Sequence, residues 1–220
     1  MKKNSNTLWW VVGILVIASV LTMIVFGAKS GGSNINVTGG KEPRAIDASD
    51  WVKGATSTAK AILIEYSDFQ CPACASYYPL IKSMTEKFGA ELTFVYRYFP
   101  LSQIHINAKT AALAAEAAGR QGQFWEMHDL LFDRQLDWAE RLDAKEMFVR
   151  YARELGLDET LFIADLAKPE LKEKIAASYR EGEAIGVNST PTLFLNGRKL
   201  SPPPSSVAGF EQLITAALKS

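Results

Sequence analysis

Cysteine and histidine are scarce in this sequence, whose 220 residues contain only two of each. A secreted domain that is held together by its own disulfides would need more cysteines. A structural zinc site normally needs four ligands, and Cys71 and Cys74 have no second cysteine pair and no histidine beside them. A c-type haem would need histidine directly after Cys74, where Ala75 stands. These absences argue against a zinc site, a haem and a disulfide framework.

An excess of one charge sign is also missing, because 24 basic residues balance 24 acidic residues. The sequence has no basic tract of the kind that binds a polyanion. It therefore predicts no nucleic-acid partner.

The two cysteines form one motif, Cys71-Pro72-Ala73-Cys74. An apolar strand-like run precedes the motif, and a helix is predicted from 75 to about 88. Thiols at this spacing can close on each other and store two electrons. The unpaired N–H groups at a helix start favour an anion and lower the pKa of the first thiol. We interpret the pair as a redox-active dithiol. A zinc site and an inert structural disulfide remain alternatives. A Cys71–Cys74 bond would close a very small loop and would therefore remove little entropy from the unfolded chain.

The N-terminal segment predicts a membrane anchor. Residues 1–7 are polar and carry two lysines, and 8–28 contain no charged residue, with Trp9 and Trp10 at the near edge. About 20 apolar residues span a bilayer, and the lysines should stay cytoplasmic. A cleaved signal peptide is the alternative, but its apolar core is shorter and Phe26 stands where a small residue is expected. We expect a single-pass cell-membrane protein with its catalytic domain outside the cytoplasm.

The rest of the chain predicts an α/β domain interrupted by helices. A flexible linker is expected over 29–44, rich in glycine, serine and asparagine. Strands at 62–66 and 91–99 flank the predicted helix and should be parallel. Asn196-Gly197 predicts a tight hairpin. An amphipathic helix closes the chain over 206–219, and its apolar side chains should face inward: Val207, Phe210, Leu213, Ile214 and Leu218. The α/β domain is thus predicted at 45–103 and 186–220, with an all-helical insertion over 104–185.

Four side chains of the insertion carry specific expectations. Asp143 with Glu146 three positions later predicts a capping box. His128 is expected to pack inside the helices. His105 follows the second strand and could lie near the dithiol.

The motifs together resemble the DsbA-like thiol:disulfide oxidoreductases of the thioredoxin superfamily, and in particular the membrane-anchored bacterial members. The resemblance covers roughly 51–218 and is carried by 65–75 around the cysteines, 99–105, 122–128 and 186–192. It implies a thioredoxin-like fold with the helical insertion described above, preceded by the transmembrane helix.

The resemblance also implies roles for single residues. Cys71 would be the exposed nucleophile and Cys74 the buried partner that resolves the mixed disulfide. Glu65 would be a buried acid beneath them, with a pKa raised by burial, that exchanges a proton with Cys74. An ordinary polar end of an edge strand is the alternative for Glu65. Pro191 would be a cis-proline that turns the Thr190 backbone toward an extended substrate chain.

The active-site loop residues Pro72 and Ala73 carry one departure from the family. The strongest oxidants of the family have histidine where Ala73 stands. We therefore expect a Cys71 pKa below that of free cysteine but less depressed than in a histidine-containing site, and a milder oxidant.

The predicted function is an extracytoplasmic thiol:disulfide oxidoreductase that introduces or exchanges disulfides in exported proteins. A membrane reoxidant of the DsbB-like or VKOR-like kind is the expected partner, and no cofactor or metal is expected. The alternatives are a disulfide reductase or isomerase, a tethered chaperone-like binding module, and a metal carrier.

Overall fold

The computed structural model describes residues 36–38, 41–54 and 59–219. The N-terminus 1–7 and the anchor expected at 8–28 lie outside the described residues. Within the described part, no helix has both the length and the apolar character needed to cross a bilayer.

A sheet of six strands is the frame of the described domain. In chain order the strands are β1 Asn36–Thr38, β2 Trp51–Gly54, β3 Ala61–Ser67, β4 Leu92–Tyr98, β5 Thr192–Leu195 and β6 Arg198–Ser201. The spatial order is β1-β6-β5-β3-β4-β2. Strands β3 and β4 are parallel, as predicted, and the other four pairs are antiparallel. Almost every residue of β3 and β4 is buried, because helices cover both faces at the centre of the sheet.

The predicted linker at 29–44 needs a correction. Residues 36–38 form β1, which pairs with β6 in the register Val37 to Leu200. The backbone N–H of Arg44 donates to Glu181 Oε1 at 3.1 Å. A glycine-rich composition predicts flexibility, but it carries no information about the open edge of β6. The free N–H and C=O groups of that edge can pair with another strand. The folded domain therefore begins before residue 45.

The connection between the parallel strands is helix α1, Pro72–Phe88. It begins three residues before the predicted start, with Cys71 at the N-cap and Pro72 in the first turn. Proline fits there because its missing N–H would have no helical partner. Tyr78, Ile81 and Met84 are buried on its inner side.

Six helices form the predicted insertion. They are α2 Ala108–Gly119, α3 Phe124–Asp133, α4 Gln135–Trp138, α5 Ala144–Glu154, α6 Glu159–Leu166 and α7 Pro169–Ala184. Alanine-rich α2 is buried along most of its length, and α3, α5, α6 and α7 all contact it. Small side chains allow helices to approach a shared neighbour this closely.

Two helix starts in the insertion differ from each other. The predicted capping box at Asp143 is wrong: the residue is the N-cap, but its carboxylate accepts from Arg141 Nε at 2.7 Å and makes no cap bond. An arginine two residues away outcompetes the backbone N–H groups. Asp158 does cap α6, accepting from Leu161 N at 2.9 Å.

The C-terminal part follows the predicted hairpin and helix. Asn196 and Gly197 have φ values of 48° and 78°, as a type I′ turn requires. Ser206 caps α8, Val207–Ala217, and Phe210 and Ile214 are buried as expected. Val207 is 39% exposed instead of inward, because it lies in the first turn beyond the reach of the core.

A buried ion-pair network ties the helical insertion to the sheet. Arg97 on β4 is 1% exposed, and its Nε donates to Asp50 Oδ1 at 2.9 Å. Its Nη1 donates to the Tyr66 hydroxyl at 2.9 Å, and that hydroxyl donates to Glu181 on α7. This network fixes the end of α7, from which the chain enters the loop at 186–191.

Candidate active site

The dithiol lies where β3 gives way to α1. Both cysteines are free thiols. Cys71 is 7% exposed and Cys74 is fully buried, so only an edge of the Cys71 side chain reaches the surface. Cys71 is more accessible than Cys74, as the resemblance implied. Cys71 is less exposed than the resemblance implied, because the loop around Thr190 covers part of its side chain.

The two thiols have opposite pKa shifts. The hydrogen bond from Cys74 lowers the pKa of Cys71 to about 5, and the backbone N–H groups of Ala73 and Cys74 act in the same direction against the effect of burial. Burial raises the pKa of Cys74 well above its usual value, and the hydrogen bond to Cys71 and the charge of Glu65 raise it further. At neutral pH the pair therefore holds a thiolate at the surface and a thiol beneath it.

The loop opposite the dithiol places Thr190 against Cys71. The Thr190–Pro191 peptide bond is cis, as the resemblance implied. The Thr190 carbonyl oxygen accepts from Cys71 Sγ at 3.4 Å. The Thr190 hydroxyl is buried and has no hydrogen-bond partner among the residues that the structure describes. Its side chain lowers the pKa of Cys71, so the carbonyl contact suits the thiol and the hydroxyl suits the thiolate.

Glu65 lies on β3, in the centre of the sheet and not on an edge strand. It is 3% exposed, and Ser67 Oγ donates to its Oε1 at 2.8 Å. Burial raises the pKa of Glu65 to about 7, with a smaller contribution from the Cys71 charge. The residue is thus buried near the dithiol with the raised pKa that the resemblance implied, and its carboxyl group can exist in both protonation states near neutral pH.

His105 contacts Asp68 in the turn that leads into the dithiol. Its Nδ1 lies 2.7 Å from Asp68 Oδ2, which also accepts from Leu101 N at 2.8 Å. The other oxygen of Asp68 accepts from Gln70 N at 2.8 Å, and the Asp68 carbonyl accepts from Cys71 N at 3.0 Å. Asp68 therefore shapes the turn into the dithiol, a role that our sequence interpretation missed.

Two buried glutamines attach the same turn to the helical insertion. Gln135 Nε2 donates to the carbonyl oxygens of Phe69 and Cys71 at 2.7 and 3.0 Å. Gln70 Oε1 accepts from Asn107 N at 2.7 Å. Neither contact follows from the sequence, since the partners are 37 to 66 residues apart. A polar residue directly before the cysteine motif, Gln70, was the one sequence feature that could have indicated such a contact.

His128 packs between the insertion and the sheet. Its ring meets those of Phe69, Tyr78 and Tyr96 with centroids 5.0 to 5.7 Å apart. Burial lowers the pKa of His128. The predicted packing role is correct, and the partners include the strand, loop and helix around the dithiol. No cluster of three or more potential metal ligands occurs within the described ranges.

Sequence comparison gives a family and a group of curated relatives. The family model described as Thioredoxin matches residues 49–216. A Na(+)/H(+) antiporter NhaA 1 of Mycolicibacterium vanbaalenii is 40% identical over 150 residues, which are 67% of this chain and 23% of the antiporter. An antiporter NhaA of Herminiimonas arsenicoxydans is 36% identical over 159 residues, 72% of this chain and 24% of that protein. This chain spans about a quarter of the length of these curated relatives.

Solved structures share the fold. BdbD from Bacillus subtilis, in its oxidised form, superposes with a TM-score of 0.71 at 17% identity, covering 84% of this chain and 100% of BdbD. A thioredoxin-like oxidoreductase from Silicibacter pomeroyi gives 0.64 at 25% identity, covering 79% and 95%. Wolbachia pipientis alpha-DsbA1 gives 0.69 at 16% identity, covering 79% and 93%. The fold is that of DsbA-type thiol–disulfide oxidoreductases, with the helical insertion in place.

Proposed function

The chain belongs to the thioredoxin family, and from this premise we propose that it is a DsbA-like thiol:disulfide oxidoreductase that oxidises thiols in exported proteins. One observation carries the proposal: Cys71 lies at the N-cap of α1 with its sulfur against the Thr190 carbonyl oxygen, and Cys74 in the first turn of that helix is fully buried. This arrangement lowers the pKa of Cys71 and raises the pKa of Cys74. Stabilising the thiolate favours the reduced form of the protein, and a protein whose reduced form is stable is an oxidant.

The first step opens the disulfide of the oxidised protein. A substrate thiolate attacks Cys71 Sγ, a substrate–Cys71 bond forms, and the Cys71–Cys74 bond breaks. Cys74 leaves as a thiolate and takes a proton from Glu65, whose pKa of about 7 suits this transfer. The high pKa of the buried Cys74 sulfur makes its protonated form the stable product.

The second step releases the oxidised substrate. A second substrate thiolate attacks the substrate sulfur of the mixed disulfide, and Cys71 leaves as a thiolate. A sulfur with a lowered pKa is the better leaving group. Two electrons have then passed from two substrate thiols to the protein. The Thr190 backbone lies beside Cys71 and suits an extended substrate segment there.

The location and the recycling partner are part of the same proposal. Support for a membrane-tethered, extracytoplasmic enzyme comes from the uncharged run at 8–28 and the lysines before it. A DsbB-like or VKOR-like membrane protein would remove the electrons by exchanging its own disulfide with the reduced dithiol. Ion transport is the named activity of the curated relatives, and it forms no part of the proposal for this chain.

The test is stoichiometric oxidation of a reduced, unfolded protein such as ribonuclease A. We expect the disulfide form to remove two substrate thiols per chain, and Cys71→Ser to abolish this transfer. Cys74→Ser, when mixed with a disulfide-containing substrate, should accumulate the mixed disulfide at Cys71, because the protein then has no second thiol to resolve it. The equilibrium with glutathione decides the direction: a potential close to thioredoxin's value of about −270 mV would favour a reductase and overturn the oxidase proposal.

A further inference from the structure

A buried histidine with one unpartnered nitrogen lies behind the dithiol. His128 on α3 is 4% exposed, and its Nε2 has no hydrogen-bond partner among the described residues. The other ring nitrogen, Nδ1, lies 2.9 Å from Oδ1 of Asp129. A buried polar atom without a partner costs on the order of 1–3 kcal/mol. An apolar side chain at this position in the aromatic cluster would avoid this cost. The presence of an imidazole therefore suggests that it has a function.

His128 and Glu65 line the same small cavity, and Lys53 and Lys82 line it as well. Its free space admits about one water molecule. A water at that place would have the imidazole and the carboxyl group as polar partners, which is what a buried water requires.

Asp129 connects the imidazole to solvent. Its Oδ2 accepts from Lys82 Nζ at 2.9 Å, and the two side chains are 23% and 38% exposed. Although burial opposes it, the hydrogen bonds from His128 and Lys82 hold the pKa of Asp129 at about 2. An ionised Asp129 favours the tautomer with the proton on Nδ1, which directs the lone pair of Nε2 away from Asp129.

We propose that His128 relays the proton of Glu65 to and from solvent through one water in this cavity. The inference rests on the proposed function, in which Glu65 protonates Cys74. When the dithiol is reoxidised, Cys74 returns its proton to Glu65, Glu65 passes one to the water, and the water passes one to Nε2. The Nδ1 proton then leaves by way of Asp129. When the disulfide is reduced, the same steps run backward, so one proton enters for each one delivered.

The groups that face this route come from every neighbouring element. They are Glu65 and Lys53 on the strands β3 and β2, Tyr96 on β4, Tyr78 and Lys82 on α1, and Asp129 on α3. Lys53 and Lys82 disfavour an imidazolium and Asp129 favours it. The imidazole therefore returns to its neutral form after each transfer.

The test follows the reduction of the oxidised full-length protein by a dithiol peptide between pH 5 and 9. We expect His128→Gln and Asp129→Asn each to slow proton-coupled release of Cys74 by roughly tenfold, with an altered pH profile and an unchanged Cys71 thiolate titration. Asp133→Asn is the matched control, because Asp133 is an exposed aspartate one turn further along α3. If His128→Gln does not fold, Asp129→Asn decides.

A double-mutant cycle separates relay from packing. In a Glu65→Gln background the relay has no proton to carry, so His128→Gln should add no further slowing. Equal slowing in both backgrounds, or a wild-type pH profile in His128→Gln and Asp129→Asn, would overturn the relay while the oxidoreductase proposal stands. A wild-type protein that exchanges no disulfide would overturn the oxidoreductase proposal itself and the relay with it.

Discussion

Thr190 and Cys71 meet across 119 residues of sequence, with the Thr190 carbonyl oxygen 3.4 Å from the Cys71 sulfur. The contact brings the loop after α7 against the start of α1. The buried Thr190 hydroxyl has no hydrogen-bond partner among the described residues, and the Thr190 side chain lowers the pKa of Cys71. One threonine thus serves the dithiol through both its backbone and its side chain.

Thr190→Val should raise the pKa of Cys71. The substitution removes the hydroxyl and keeps the shape, and a hydrogen bond to a charged group contributes about 1.5–3 kcal/mol. We expect the proton affinity of the thiolate to rise at least roughly tenfold, measured by thiolate absorbance against pH. Thr192→Val is the control, because the Thr192 hydroxyl donates to Ser189 O at 2.7 Å and not to the sulfur. An unchanged titration in Thr190→Val would assign the low pKa to the other donors alone.

Glu65→Gln should slow the release of Cys74 and flatten the pH dependence of stability. Burial raises the pKa of Glu65 from 4.5 to about 7, so the folded protein holds this proton more tightly than the unfolded chain. The contribution of protonated Glu65 is full below pH 4.5 and is lost as the pH rises to about 7. The loss is at most about 3 kcal/mol, and Glu65→Gln should not show it.

Urea unfolding of the disulfide form gives the cleanest measurement of this effect, because neither sulfur then titrates. Glu116→Gln is the matched control at another buried glutamate, where Lys174 Nζ donates to the carboxylate at 2.9 Å. It should lower stability without altering the kinetics of disulfide exchange. If wild type and Glu65→Gln showed parallel pH curves, Glu65 would be an ordinary buried carboxylate.

The reduced form should gain stability over the disulfide form as the pH rises. The pKa of Cys71 is depressed from 9.0 to about 5. The stability contributed by its thiolate is complete above pH 9 and is lost as the pH falls through 5. After allowance for screening at the partly open sulfur, we expect about 1–2 kcal/mol at pH 7. Thermal unfolding of both forms at several pH values measures the difference. Cys71→Ser has neither this thiolate nor a disulfide form, and the stability of its single form should show no such rise with pH.

Asp50→Asn should destabilise the domain by about 3 kcal/mol, because it removes the carboxylate that pairs with Nε and Nη2 of the buried Arg97 guanidinium. Arg97 and Asp50 are 1% and 2% exposed at their side chains. Urea unfolding of the disulfide form measures the loss. Asp47→Asn removes a carboxylate that is 56% exposed and should cost less than about 1 kcal/mol. A similar loss of unfolding free energy in both variants would show that the buried ion pair contributes no more to stability than the exposed one.

The parts of the site that the sequence predicted are those with short-range signatures. The spacing of the cysteines in Cys71-Pro72-Ala73-Cys74 indicates a redox-active dithiol, and Pro72 indicates the start of a helix. Asn196-Gly197 specifies a turn because both residues tolerate positive φ. The parallel strands around α1 follow from their order and lengths. Local chemistry determines each of these features, so the sequence predicts them well.

The parts that the sequence did not predict depend on distant partners. Asp68 and His105, or Gln135 and the Cys71 carbonyl, meet only after the insertion has folded onto the sheet. The strand β1 depends on the open edge of β6, which composition does not reveal. Asp143 fits the sequence pattern of a capping box, but its carboxylate accepts a hydrogen bond from Arg141 and does not cap the helix. Competition between partners decides such cases, and a linear pattern does not contain it.

The small exposed edge of Cys71 restricts which molecules the dithiol can meet. Sulfur exchange requires the incoming thiolate to approach in line with the bond that breaks. With Cys74 fully buried and Cys71 only 7% exposed, Cys71 is the only sulfur of the pair that an incoming thiolate can reach. We expect a flexible chain to bring its thiol into line more readily than a thiol fixed in a folded surface, so the opening should favour a partner chain by its conformation more than by its sequence.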